Sequence, residues 1–157
     1  MKIAPLKKND TVAIIASAKQ VDKKQMETAT ALLKKWGLQV ISGKNLYKKS
    51  GMFAGTDQQR ASDLQEAMNN PAIKAIFCAR GGYGTARIID TIELKHFRKN
   101  PKWVIGFSDV TVLHNTLHNK GIPSIHGLMP LVFDQKGSKE SLTQLQKTLF
   151  GAQPSYQ

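Results

Sequence analysis

Short, uninterrupted apolar runs alternate along the chain with longer polar stretches in which apolar residues return every three or four positions. Strands are predicted at residues 12–16 (VAIIA), 38–41, 75–79, 103–107 and 124–126, the longer runs reading as strands buried on both faces. Helices are predicted at 22–36, 57–70, 85–91, 109–119 and 138–150. In the first, Met26, Ala29, Leu32, Leu33 and Trp36 share one face and Gly37 ends the segment. In the second, Ala61, Leu64, Ala67 and Met68 form the face and Pro71 closes it. Residues 42–56, with Gly43, Asn45, Gly51 and Gly55, show no period and read as a long loop, a kind that is often functional in compact domains. Strands alternating with helices call for right-handed crossovers and a parallel sheet covered on both sides. The fold class is doubly wound α/β, flavodoxin-like or Rossmann-like in outline.

Ligands of such sheets gather at the carboxyl ends of the strands. There the sequence places Ser17-Ala18, then Arg80-Gly81-Gly82-Tyr83-Gly84, then Ser108-Asp109, then Gly127, all on one sheet edge. Around Ser108 the chain reads KWVIGFSDVTV (102–112), a nucleophile elbow in outline: a serine on a tight turn between a buried strand and a helix N-terminus. The esterase form G-x-S-x-G is met at Gly106 and Ser108, but its second glycine is Val110. The alternative is that Ser108 is only a helix N-cap. The GGYG run at 81–84 can bring backbone N–H groups close to an anion or an oxyanion. The alternative is a tight strand-to-helix turn that needs glycine only for its angles. A phosphate loop fits less well, because G-x-x-x-x-G-K-[ST] is absent and Arg87 stands where the third glycine of G-x-G-x-x-G belongs.

Composition narrows the function classes. With 157 residues, 41% of them hydrophobic, one ordinary core and a single domain are expected. The net charge of +12 is spread as pairs such as Lys7-Lys8 and Lys34-Lys35, without a long basic run or interleaved aromatics. That pattern describes a solvated basic surface, so nucleic acid is not an expected partner. Cys78, the single cysteine, falls inside an apolar run and reads as a buried thiol. The first apolar segment is too short for a signal-peptide core or a membrane span. A cytoplasmic, reducing setting without membrane, cofactor or metal is therefore expected.

The segments ARGGYGTARIID (79–90) and PKWVIGFSDVTVLHN (101–115), followed by Ile125-His126-Gly127, resemble the N-terminal half of the LD-carboxypeptidase family of serine peptidases, which includes microcin-C immunity peptidases. KKNDTVAIIASA (7–18) and GMFAGTDQQR (51–60) are similar to it as well. The resemblance implies a flavodoxin-like or class I glutamine-amidotransferase-like domain. It also implies hydrolysis of the amide to a terminal D-amino acid in peptidoglycan stem peptides during cytoplasmic recycling. On the matching positions, Ser108 is the nucleophile, and the N–H groups of Asp109 and of a glycine in Gly81-Gly82, preferably Gly82, form the oxyanion hole. Arg80, Gly81 and Tyr83 line the pocket for a muropeptide or small peptide, Arg80 as a carboxylate ligand or an anchor and Tyr83 as a wall or an anchor. Leu128 departs from the family, which commonly has proline after His-Gly.

The family's histidine and glutamate come from a C-terminal domain, and the resemblance implies that this chain stops at Gln157 where that domain begins. The expectation is an isolated nucleophile-bearing domain, inactive alone, whose uncovered face favours a homodimer. The four histidines are poor replacements for the missing base. His114 and His118 are expected on the surface or in a groove, pointing away from the helix start, and His96 in a polar helical stretch. His126 alone ends a neighbouring strand, where a backbone-satisfied ring is expected. The alternative function is a phosphate- or nucleotide-binding α/β module without covalent chemistry.

Overall fold

The computed structural model describes residues 1–153, so the chain end at Gln157 lies outside the described residues. Five parallel strands, β1 (Thr11–Ile15), β2 (Gln39–Ser42), β3 (Ile73–Cys78), β4 (Trp103–Gly106) and β5 (Ile125–His126), form one sheet in the order β2-β1-β3-β4-β5. This is the flavodoxin-like order, with its reversal between β1 and β3. The helices are α1 (Lys23–Lys35), α2 (Asp57–Asn69), α3 (Thr85–Ile88), α4 (Lys95–Lys99), α5 (Thr111–His118) and α6 (Ser138–Leu149). The doubly wound α/β expectation therefore holds.

The period of two along each strand divides the core between the two sheet faces. Val12, Ile14, Ala75, Phe77 and Ile105 pack with Met26, Ala29 and Leu33 of α1 and with Leu142, Leu145 and Leu149 of α6. Ala13, Ile15, Ile76, Cys78 and Val104 pack on the other side with Leu64 and Met68 of α2, Ile88, Phe97, and Leu113 and Leu117 of α5. Cys78 is fully buried, and burial pushes its thiol up to about 12. Leu128 packs against the α1/α6 side, which gives that departure from the family a place in the core.

Several elements differ from the sequence expectation. The segment at 38–41 shifts to Gln39–Ser42 and forms the sheet edge, leaving Ile41 exposed rather than buried. The helix expected over 85–91 is one α-helical turn followed by a 3-10 turn at Ile89–Thr91, and the polar helical stretch expected around His96 is the short helix α4. The helix after β4 opens as a 3-10 turn, Ser108–Val110, before α5 begins. On α2, Ala61 is only half-buried and the fully buried position beside it is Arg60. Among the described residues no helix is long and apolar enough to cross a membrane.

Candidate active site

The strand-order reversal brings the segments that follow β1, β3 and β4 together at the carboxyl ends of the strands, where ligands of such sheets gather. After β4 the chain turns at Ser108, which has φ of 58° and is solvent-exposed. Apart from Asn9, it is the only non-glycine residue with positive φ among the described residues. A β-carbon in that region costs about 1–2 kcal/mol, so the conformation persists because both flanks are fixed. Gly106 is pressed against Val110, where a Cβ would come within 2.8 Å of Val110 Cγ1. The Gly106 carbonyl also accepts bonds from the Gly127 N–H at 3.0 Å and from His114 Nε2 at 2.9 Å. Because a 3-10 turn starts at Ser108, the Ser108 and Asp109 N–H groups have no partner within that turn.

The glycine bend meets this turn edge on. A Cβ on Gly81 would sit 3.3 Å from Ser108 Cβ and 3.4 Å from the Asp109 nitrogen. Gly82 and Gly84 have φ of 113° and 147°, and Gly84 lies so close to the segment after β1 that a Cβ would be 2.8 Å from Ala18 Cα. The Asp109 carboxylate accepts the Thr85 N–H at 3.0 Å, tying the start of α3 to the elbow. Ser17 Oγ and Thr85 Oγ1, both buried, are 2.8 Å apart and join α3 to the end of β1. The turn holding Ser108 and the bend holding Gly81 are thus one connected unit.

Arg80 and Tyr83, expected to line a pocket, are both anchored. Arg80 Nη1 donates to the Gln20 carbonyl at 3.2 Å, and Tyr83, 48% exposed, packs its ring on Phe53 with centroids 6.1 Å apart. Behind Phe53 lies a network that sequence reasoning did not assign. Arg60 is fully buried and donates through Nε to Ser17 O, through Nη1 to Gly55 O and through Nη2 to Asp57. Arg87 donates to the same Asp57 carboxylate, and both guanidinium groups lie over the Phe53 ring. The Arg87 hydrogen bond is the chief cause that holds the Asp57 carboxyl below its usual range. The signal that could have revealed Arg60 is its phase, since Arg60, Leu64, Ala67 and Met68 share one helical face.

The histidines depart partly from expectation. His114 and His118 line a groove, as expected, but His114 does not point away from the helix start: it is half-buried and reaches back, with Nε2 on Gly106 O and Nδ1 2.8 Å from Ser124 Oγ. Burial lowers its basicity. With both ring nitrogens engaged it braces the elbow and has no lone pair to offer Ser108. His126 is exposed, its ring set against Phe107 and His114 rather than satisfied by backbone. Ser108 Oγ has no hydrogen-bond partner among the described residues. Nor does any group of three or more His, Cys, Asp or Glu side chains there stand ready to hold a metal ion.

The family model described as the LD-carboxypeptidase N-terminal domain matches residues 12–127. The chain belongs to the LD-carboxypeptidase family. Over 125 residues it is 44% identical to a probable murein peptide carboxypeptidase of Bacillus subtilis (strain 168), covering 79% of this chain and 39% of the relative. It is 34% identical over 117 residues to the murein tetrapeptide carboxypeptidase of Pseudomonas aeruginosa, covering 74% and 38%. The crystal structure of an MccF-like protein from Bacillus anthracis superposes with a TM-score of 0.89 at 26% identity, covering 95% of this chain and 47% of that one. The chain thus spans about two fifths of the length of the curated LD-carboxypeptidase relatives it matches.

Proposed function

We propose that this chain is the nucleophile-bearing domain of a serine LD-carboxypeptidase, which as the full-length protein hydrolyses the amide to the terminal D-amino acid of a peptidoglycan stem peptide. The observation that carries the reading is the exposed Ser108 at φ 58°, on a strand-to-helix turn that faces a glycine bend. Two curated relatives bear names for murein peptide hydrolysis.

In the proposed reaction Ser108 Oγ attacks the scissile carbonyl carbon while a general base takes its proton. The carbonyl oxygen becomes an oxyanion, and the Asp109 and Gly82 N–H groups are proposed to receive the charge that develops there. The C–N bond then breaks, the proton passes to the departing amine, and a D-amino acid leaves. Water attacks the remaining ester by the same route in reverse and frees Ser108. The base and its carboxylate partner are proposed to belong to a further domain of the same polypeptide. His114, with both nitrogens occupied, supports that division. Arg80, Gly81 and Tyr83 are proposed to line the substrate cleft, and the proposed setting is the cytoplasmic recycling of peptidoglycan.

Release of D-alanine from an L,D-tetrapeptide by the full-length protein tests the reading. Ser108→Ala should lower kcat by about 10⁴-fold or more, and a serine-directed phosphonate should label the wild type at Ser108 alone. Undiminished release by the Ser108→Ala protein would refute the assignment.

A further inference from the structure

A carboxypeptidase must recognise the carboxylate at the end of its substrate, and the segments gathered at the sheet reversal hold a cation that the reaction above does not use. Lys19 follows β1 at the sheet reversal, half-buried, with its stem laid across the glycine bend. A Cβ on Gly82 would stand 2.6 Å from Lys19 Cδ and 2.9 Å from both Cγ and Cε. Its backbone is fixed by a bridge to Phe53, so the stem leaves from a held position. The ammonium forms no ion pair among the described residues, whereas neighbouring Arg80 is spent in part on the Gln20 carbonyl. Gln20, next in the chain, keeps its side-chain oxygen buried with no hydrogen-bond partner among the described residues. The segment after β1 therefore sets a cation without an ion-pair partner against the glycine bend, suited to an anion.

The spacing fits a terminal residue. Gly81 faces Ser108 and Gly82 faces Lys19, and consecutive Cα atoms are about 3.8 Å apart. Across a final peptide unit, the scissile carbonyl carbon and the terminal carboxylate carbon are joined through N and Cα and lie about 3–3.7 Å apart depending on φ, a comparable span. An acyl group attacked by Ser108 beside Gly81 thus leaves the carboxylate within reach of an ammonium beside Gly82. Resting on the proposed function, we infer that Lys19 is the residue that binds the free C-terminal carboxylate of the substrate and so makes the enzyme a carboxypeptidase rather than an endopeptidase. A charge-assisted hydrogen bond to a compact anion from a half-buried lysine is the strong kind.

The test compares an L,D-tetrapeptide having a free C-terminal carboxylate with its C-terminal carboxamide, on the full-length protein. Lys19→Met should lower kcat/KM for the acid by about ten- to a hundredfold, and the preference for acid over amide should collapse towards unity. Lys19→Arg should restore most of that preference. Calorimetric titration of Ser108→Ala protein, with and without Lys19→Met, reads the same preference as affinity without turnover. Equal losses on acid and amide, or no loss on the acid, would overturn the role of Lys19. An acid preference that depends on Lys19 together with undiminished turnover by Ser108→Ala would instead retain the carboxylate site and refute the nucleophile.

Discussion

Ser108 and Gly84 present the same problem, a sharp reversal of backbone direction, and solve it differently. Ser108 keeps a side chain at φ 58° and stays strained, whereas Gly84 at φ 147° must be glycine because the backbone of Ala18 occupies the space a Cβ needs. Gly84→Ala should destabilise the domain by at least about 2 kcal/mol, from left-handed strain together with a clash against backbone that cannot rotate away. Gly121→Ala is the control, because Gly121 has φ 71° with open space around it and should cost about 1 kcal/mol. Urea midpoints of the two variants read the difference, and equal midpoints would contradict the close approach of the bend to Ala18. Such residues were legible in the sequence because a conformational demand restricts residue type, so glycines and a serine at strand ends leave a trace. Arg60 left a fainter one. An arginine in a polar helix reads as surface until its phase is matched to the apolar face, and its partners Ser17 and Gly55 are fixed only by the tertiary fold.

Helix α2 is secured at both ends by chemistry of different visibility. Its start carries a capping box, Thr56 with Gln59, a local pattern readable from four consecutive residues. Its end is held from a distance: Lys102, only 3% exposed, donates through Nζ to Ala67 O at 3.1 Å and to Asn70 O at 2.5 Å. Burial lowers the Lys102 ammonium to about 8 from its ordinary 10.5. Between those values the unfolded chain holds a proton that the folded chain has released, so stability should rise with pH across that window and level off above it. Denaturant midpoints measured from pH 7.5 to 11 should show this rise as a growing difference between the wild type and Lys102→Met, since the buried Cys78 thiol lowers both profiles alike above about pH 9. A fall in the wild type over that window relative to the variant would contradict the assignment. The same contrast explains which elements were legible. The long helices α1, α2 and α6 and the central strands carry their period within one segment. The 3-10 turns owe their shape to the surfaces they pack on, and β2 has the composition of an inner strand but occupies the sheet edge.

At the scale of the whole molecule, the two halves of the core are not separable. Each central strand points alternate residues to opposite faces, so Val12 and Ile14 belong to the α1/α6 side while Ala13 and Ile15 belong to the α2/α5 side. Melting one face strips the strand that supports the other, which makes a single cooperative transition the expected behaviour of the 157-residue chain by itself. Trp36 and Trp103 both pack on the α1/α6 side, so their fluorescence follows that face, whereas far-UV circular dichroism follows the helices of both. The two signals should change together in urea, and separated midpoints would show that the faces unfold independently. If they coincide, assaying the same folded sample for D-alanine release separates architecture from activation. The elbow at Ser108 and the bend at Gly81 draw their geometry from this core, so they should be in place. A serine hydroxyl without a base to take its proton remains a weak nucleophile. The folded chain is therefore expected to release no D-alanine, and turnover equal to that of the full-length protein would show that the base lies within these residues after all.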